Sequence, residues 1–212
     1  MSLSEQRTYA VLNILQDLGS KRIVDLGCGK GKLLKTLSDE GSFEILFGID
    51  SSSKNIMKAK KRFQMGDQLP DKGTTIKLIN GSILNYNYYK LKFDTALAIE
   101  LIEHLSVDSL VSFENLIFRI AKFKIIIITT PNYEYNINYK NLLSNNFRNK
   151  SHKFEWPRSK FKCWCDRIGQ RLGYNVSYSS IGPIDEKVGS PTQMAIFNNC
   201  YMHVNHNINL KK

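Results

Sequence analysis

The sequence is poor in the features that would take it out of the ordinary globular class. Proline occurs five times in 212 residues and no long Gly/Ser tract is present. No linker divides the chain, so a single domain over residues 1–212 is expected. The four cysteines, Cys28, Cys163, Cys165 and Cys200, include no CxxC pair. That argues against a zinc knot or a disulfide scaffold and for free thiols. The longest aliphatic run, Ile125 to Ile128, is far too short to span a bilayer and has Lys122 and Lys124 beside it. The first ten residues, MSLSEQRTYA, are polar and lack an apolar signal region, so a cytoplasmic protein is expected. No internal repeat is visible at solenoid periods. Acidic residues are also in short supply: 19 Asp and Glu face 30 Lys and Arg, a net charge of +11. Such a balance favours RNA or DNA through phosphate neutralisation, although a lysine-rich composition alone produces it as well.

What the chain does have is a regular alternation of strands and helices. Short apolar runs predict strands at Arg22–Leu26, Ile45–Asp50, Ile76–Ile79, Phe93–Ile99 and Lys124–Thr129. Helical spacing predicts helices over Ser4–Leu18, Gly31–Leu37, Ser52–Phe63 and Leu105–Phe123, with Ser51 or Ser52 capping the third. After Pro131 the pattern breaks into a segment rich in Asn, Tyr and Lys, with one short helix expected near Tyr139–Leu143. A helix over Phe161–Leu172 and closing strands at Asn175–Ser180 and Gln193–Phe197 complete the pattern, and the tail from Met202 is expected to fray. Alternation followed by a terminal strand pair implies an α/β three-layer sandwich.

Two segments carry chemistry. The first, Asp25-Leu-Gly-Cys-Gly-Lys-Gly31, follows a strand and precedes a helix. Gly27 and Gly29 would let the chain turn tightly and let backbone approach a ligand closely. Asp50 ends the next strand, where an acid can accept both ribose hydroxyls of an adenosine, with Ser51 beside it. Gly81 and Ser82 follow the third strand and would flank the adenine. The plain alternative is a tight turn with no ligand. A nicotinamide dinucleotide is the main rival ligand, but its fingerprint is GxGxxG, whereas the pattern here is GxGxG with an acid in front. S-adenosylmethionine has no pyrophosphate and carries positive charge at sulfur, so acids near the turn help. This favours it as the cofactor.

The second segment is Glu100-Leu-Ile-Glu-His-Leu105, at the end of the fourth strand. In a helix, Glu100, Glu103 and His104 would share one face. Two carboxylates and an imidazole suit a divalent metal such as Mg²⁺, Mn²⁺ or Co²⁺, with His152 able to complete the site. An ordinary acidic turn remains the alternative. His203 and His206 form an HxxH in the tail and read as surface residues. Tyr133, Tyr135, Phe154 and Trp156, interleaved with Lys153, Arg158 and Lys160, suit stacking on unpaired bases and contacts to phosphates, or simply pack a long loop.

Four stretches together resemble the Hua-enhancer-type small-RNA methyltransferases: VDLGCGKG (Val24–Gly31), IELIEHL (Ile99–Leu105), TTPNYEYN (Thr129–Asn136) and HKFEWPRSKF (His152–Phe161). GYNVSY and PTQMAIF near the end also fit, so the likeness covers essentially the whole chain. The first stretch is shared by many methyltransferases; the other three are specific. The resemblance implies a Rossmann-like fold with a seven-stranded, mostly parallel sheet whose last strand is antiparallel. It implies methyl transfer from S-adenosylmethionine to the 2′-hydroxyl at an RNA 3′ end. It also implies a metal held by Glu100, Glu103, His104 and His152, touching both terminal hydroxyls. Bacterial members are commonly longer and act in an RNA-repair complex with a kinase–phosphatase–ligase. The extra N-terminal half of those longer relatives is not in this sequence. Two other readings stay open at this level: a small-molecule O-methyltransferase acting on a vicinal diol, and a non-catalytic RNA-binding subunit on the same scaffold.

Overall fold

A computed structural model describes residues 1–40, 42–64, 73–85, 91–140, 142 and 147–200. The chain divides into two compact units, Met1–Ile99 and Glu100–Lys212. Among the described residues seven strands form one sheet, in the order β3-β2-β1-β4-β5-β7-β6. Among the described residues no helix is long and apolar enough to cross a membrane.

The first unit contains α1 (Leu3–Asp17), β1 (Arg22–Leu26), α2 (Lys32–Glu40), β2 (Ile45–Asp50), α3 (Ser53–Arg62), β3 (Thr75–Asn80) and β4 (Thr95–Ile99). Ser2 opens α1 through a capping box with Glu5, satisfying helix N–H groups that have no intrahelical acceptor. β1 pairs in parallel with β2 and β4, and β2 in parallel with β3. Strands covered on both faces read as continuous apolar runs, and the last four residues of β1 and the last five of β2 are buried. Gly48 in β2 shows how tightly the first layer is packed. A Cβ there would lie 2.6 Å from Leu34 Cδ1 on α2 and 2.8 Å from Cys28 Sγ. Only a residue without a side chain lets α2 come this close.

The second unit contains a single 3₁₀ turn (Ile102–His104), α4 (Val107–Glu114), a π-helical turn (Asn115–Ala121), β5 (Ile125–Pro131), a 3₁₀ segment (Tyr133–Asn138), α5 (Arg158–Leu172), β6 (Tyr174–Ile181) and β7 (Thr192–Asn199). All seven residues of β5 are buried. β7 lies between β5 and β6 and runs antiparallel to both, from Ile125↔Asn198 to Pro131↔Thr192 on one side and Tyr174↔Asn199 to Ile181↔Thr192 on the other. The antiparallel last strand is therefore present. α5 packs on β6 and β7.

Most boundaries fall within a few residues of expectation, and three departures are informative. The helix expected over Leu105–Phe123 starts only at Val107, because Ser106 caps it by accepting from Ser109 N. It then widens into the π turn and stops at Lys122, which is left-handed at φ 51°. α5 begins at Arg158, three residues early, because Pro157 sits at the cap with its φ already at −65°. The short helix expected near Tyr139–Leu143 partly lies outside the described residues. The helical turn of this segment falls instead at Tyr133–Asn138, where Asn132 Oδ1 accepts from Glu134 N. His203 and His206, and the tail from Met202, lie outside the described residues. All four cysteines are free.

Candidate active site

In the first unit, the ends of β1, β2 and β3 are stitched into one platform. The chain leaves β1 through Gly27 (φ 72°) and Gly29 (φ 56°), conformations that L side chains rarely adopt. Gly27 N and Cys28 N both donate to Ile49 O, at 2.8 and 3.0 Å. Asp50 binds the turn from the neighbouring strand: Oδ2 accepts from Gly29 N at 2.9 Å, and Oδ1 accepts from Ser52 N at 2.8 Å and Asn55 Nδ2 at 3.3 Å. The acid expected to hold a ribose thus also fixes the glycine turn. An added Cβ on Gly29 would meet open space, so it is the backbone conformation that requires glycine there. Ser51 is exposed, and its carbonyl accepts from Asn80 Nδ2 at 2.9 Å. Ser82 is exposed too, and its Oγ accepts from Leu84 N at 3.1 Å. Asn55 and Asn80 were missed in the sequence. Their signal was modest: one polar residue in the first turn of α3 and one ending β3.

Asp25 is buried in β1. Burial first, and the charge of Asp50 second, push its pKa from 3.8 up to about 8. The folded value lies above the unfolded one. Between about pH 4 and about pH 8 only the unfolded chain sheds this proton, so folding becomes less favourable as pH rises through that window. Asp25→Asn, which cannot ionise, is expected to be more stable than the native chain at pH 8 and to converge with it near pH 4. Thermal unfolding of the ligand-free protein measures this. A native midpoint that does not fall relative to the variant between those pH values would refute a neutral Asp25.

In the second unit, the segment after β4 is not the helix anticipated for Glu100, Glu103 and His104. Glu100 is left-handed (φ 51°), and only Ile102–His104 form a turn. The strand end is pinned across to β5: Glu100 N donates to Thr129 O and Oγ1, both at 3.0 Å, and Thr129 Oγ1 donates to Glu100 Oε1 at 3.0 Å. These bonds impose a reversal that a regular helix cannot make. The 3₁₀ turn still brings Glu103 and His104 together, and His152 joins them from the irregular segment. One ligand-capable atom from each of the three lies within 4.8 Å of the others. Glu100 is not part of this group.

Each member is held from behind. Glu103 is fully buried, its Oε2 accepts from Thr130 Oγ1 at 3.0 Å, and its carbonyl accepts from Lys153 N at 2.7 Å. His104 Nδ1 faces Ser151 Oγ at 3.1 Å and Ser151 O at 3.4 Å. Burial, and then the neighbouring His152, hold the His104 pKa below its ordinary value, which favours a neutral ring. His152 Nδ1 donates to the buried carboxylate of Glu155 at 2.6 Å. The two imidazoles stand edge to face, with centroids 4.8 Å apart. Partners on both Nδ1 atoms leave the Nε2 atoms as the remaining ring donors for a ligand.

Glu155 was not singled out in the sequence, although its place three residues after His152 was a usable signal. It also accepts from Arg148 N at 2.7 Å and Asn136 Nδ2 at 2.6 Å. Arg148 in turn donates to Asn136 Oδ1, Pro191 O and Asn132 O. The asparagines of TTPNYEYN thereby brace His152 through Glu155. Trp156 is buried and stacks on the half-buried Phe154, with centroids 4.4 Å apart. Tyr135 meets Tyr139 edge to face, and Arg158 pairs with Glu134.

The chain is similar to known methyltransferases. A family profile described as a methyltransferase domain matches residues 18–186. The small RNA 2′-O-methyltransferase of Arabidopsis thaliana is 32% identical over 92% of this chain and 22% of its own length. That of Mus musculus is 31% identical over 92% of this chain and 50% of its own length. The chain thus spans between about a fifth and about half of these relatives. The crystal structure of the methyltransferase domain of bacterial CtHen1-CN is 37% identical, with a TM-score of 0.82, covering 93% of this chain and 100% of that one. Strand order, the reversed β7 and the glycine turn bound to Asp50 define the class as the Rossmann-like methyltransferase fold. Within that class, the chain belongs to the Hen1-type small-RNA methyltransferase family.

Proposed function

We propose that this chain transfers the methyl group of S-adenosylmethionine to the 2′-hydroxyl of the 3′-terminal ribose of RNA, with a divalent metal assisting. The observation that carries this reading is the convergence of Glu103, His104 and His152 within 4.8 Å. A carboxylate and two imidazoles whose Nδ1 atoms are already engaged suit Mn²⁺ or Co²⁺ well, and Mg²⁺ with added water ligands. Glu100 is the fourth residue of the proposed set. A metal bound there would lower the pKa of the ribose hydroxyl and fix its direction of attack.

The chain's own residues do the rest. Gly27, Gly29 and Asp50 present the turn and the acid on which the nucleoside would rest, with Ser51 and Ser82 at its edge. Asp50 places negative charge near a cationic sulfonium, and that cation would in turn favour ionisation of Asp25, which is protonated below about pH 8 without it. Glu155 and Ser151 orient the two histidines. In the transfer, the S–C bond breaks as the O–C bond forms, sulfur keeps the bonding pair, and the hydroxyl proton is released to water. A site that engages the 2′ and 3′ oxygens together selects a free 3′ terminus, because a 3′-phosphate or an existing methyl group blocks it. RNA ends of this kind arise at cuts, so an RNA-repair assembly is the partner class we propose.

The test offers labelled cofactor and three RNAs of one sequence, ending in an unmodified ribose, a 3′-phosphate or a 2′-deoxyribose, with and without chelator. Only the first is expected to gain label, at the terminal 2′ oxygen and only with metal present. Equal labelling of the 2′-deoxy RNA would refute the acceptor, and chelator-resistant transfer would refute the metal.

A further inference from the structure

We propose that the groove beside the cluster binds the unpaired base next to the RNA's 3′-terminal nucleotide, its phosphates meeting a cationic rim of Lys153, Lys160 and Arg167. The inference rests on the RNA reading above and adds a second nucleotide subsite to it. The groove has a volume of about 580 Å³, within the roughly 300–1,000 Å³ typical of small-molecule pockets. Val107 and Val111 on α4 form one wall, and both are strongly exposed, 77% and 60%. Phe154 and Trp156 form another. Trp156 is backed by Trp164, centroids 5.5 Å apart, and Lys160 Nζ lies 5.5 Å from its ring centre. Trp156 is therefore a fixed backing, and the half-buried Phe154 is the surface available to a base.

Charge and continuity select the occupant. Lys153, Lys160 and Arg167 border the groove, and Glu114 is the acid among its lining residues. The Glu114 carboxylate is already engaged: Oε1 accepts from Trp164 Nε1 at 2.7 Å, and the side chain pairs with Arg167 and Arg171 at 3.3 and 3.4 Å. The rim stays cationic. A second cavity of about 570 Å³ shares Val111, Glu114 and Arg167 with the groove and adds Arg119 and Arg171, extending the basic path. At its other end the groove is lined by chain neighbours of the cluster. Leu105 follows His104, Lys153 follows His152, and Lys153 N donates to Glu103 O. An aromatic platform with cations on its rim fits an unpaired base and its phosphates, whereas a paired base has no face to offer.

The experiment uses the full chain and oligoribonucleotides sharing one 3′-terminal nucleotide, lengthened from one residue to five. In the native chain, KM is expected to fall at least tenfold when the second nucleotide is added, consistent with stacking of one base. Val111→Glu and Lys160→Glu lie at exposed positions and are expected to lose most of that gain, with thermal midpoint and cofactor affinity as checks on folding. Cys163 gives an independent readout, because it lines the groove and is exposed while Cys28 and Cys165 are buried. Saturating RNA of two or more nucleotides should slow its alkylation several-fold, and the two variants should lose this protection. Methylation with a KM independent of length, or Cys163 alkylation indifferent to bound RNA, overturns the groove and leaves the acceptor reading intact. Failure of the native chain to methylate any RNA overturns both.

Discussion

Replacing Glu103 with alanine is expected to lower methyl transfer about a thousandfold or more while leaving the Kd for S-adenosylmethionine within about twofold. Glu103 supplies the carboxylate that the cluster places among two imidazoles. Without it, only two histidines of the three residues brought together remain, and a hard divalent cation loses an oxygen ligand. Lewis-acid activation is worth several kcal/mol, and each 1.36 kcal/mol is a factor of ten in rate. Glu103 is fully buried, so alanine also leaves a void, and loss of activity alone would be ambiguous. Glu103→Gln resolves this. It keeps the volume and an oxygen able to accept from Thr130 Oγ1, and it removes only the charge. The measurement is single-turnover methylation beside calorimetric titration with the cofactor and, separately, with Mn²⁺. Native-like transfer by the glutamine variant would defeat the metal role of this cluster.

Asp50→Ala is expected to do the opposite: raise the cofactor Kd about a hundredfold or more and leave Mn²⁺ affinity unchanged. Two effects combine. Asp50 holds the glycine turn through Gly29 N and the start of α3 through Ser52 N. It is also the acceptor proposed for the ribose hydroxyls. Hydrogen bonds to a charged group are worth roughly 1.5–3 kcal/mol each, so losing two corresponds to a factor of about 10² to 10⁴. Calorimetry with both ligands separates the cases. A cofactor Kd within about fivefold of native would place the ribose contact elsewhere. Because the charge of Asp50 contributes to the raised pKa of Asp25, the variant should also lower the pH at which Asp25 ionises.

The boundaries of β1 and β2 were legible to the residue, because each is an apolar run closed by or containing an acid and each is buried almost throughout. The glycine turn was legible for the same local reason. The π turn at Asn115–Ala121 was not, since widening a helix over seven residues leaves its apolar spacing nearly unchanged. The way the chain leaves β4 was not legible either. It is decided by Thr129 on another strand, which pins Glu100 into a left-handed conformation. All four proposed ligands could be named in the sequence, and three of them, Glu103, His104 and His152, are brought together. The brace behind them runs from Glu155 through Arg148 to Asn132 and Pro191. Those residues are far apart in sequence, and only the tertiary fold relates them.

Glu100 sits in a backbone conformation that its own side chain does little to favour. A non-glycine residue at φ 51° carries a penalty of roughly 1–2 kcal/mol that glycine would avoid. Against this stands its side-chain hydrogen bond from Thr129, worth about 1 kcal/mol. Glycine at this position is therefore expected to be close to neutral for folding, and it would remove the carboxylate. Glu100→Gly thus removes the side chain's chemistry while leaving folding nearly as it was.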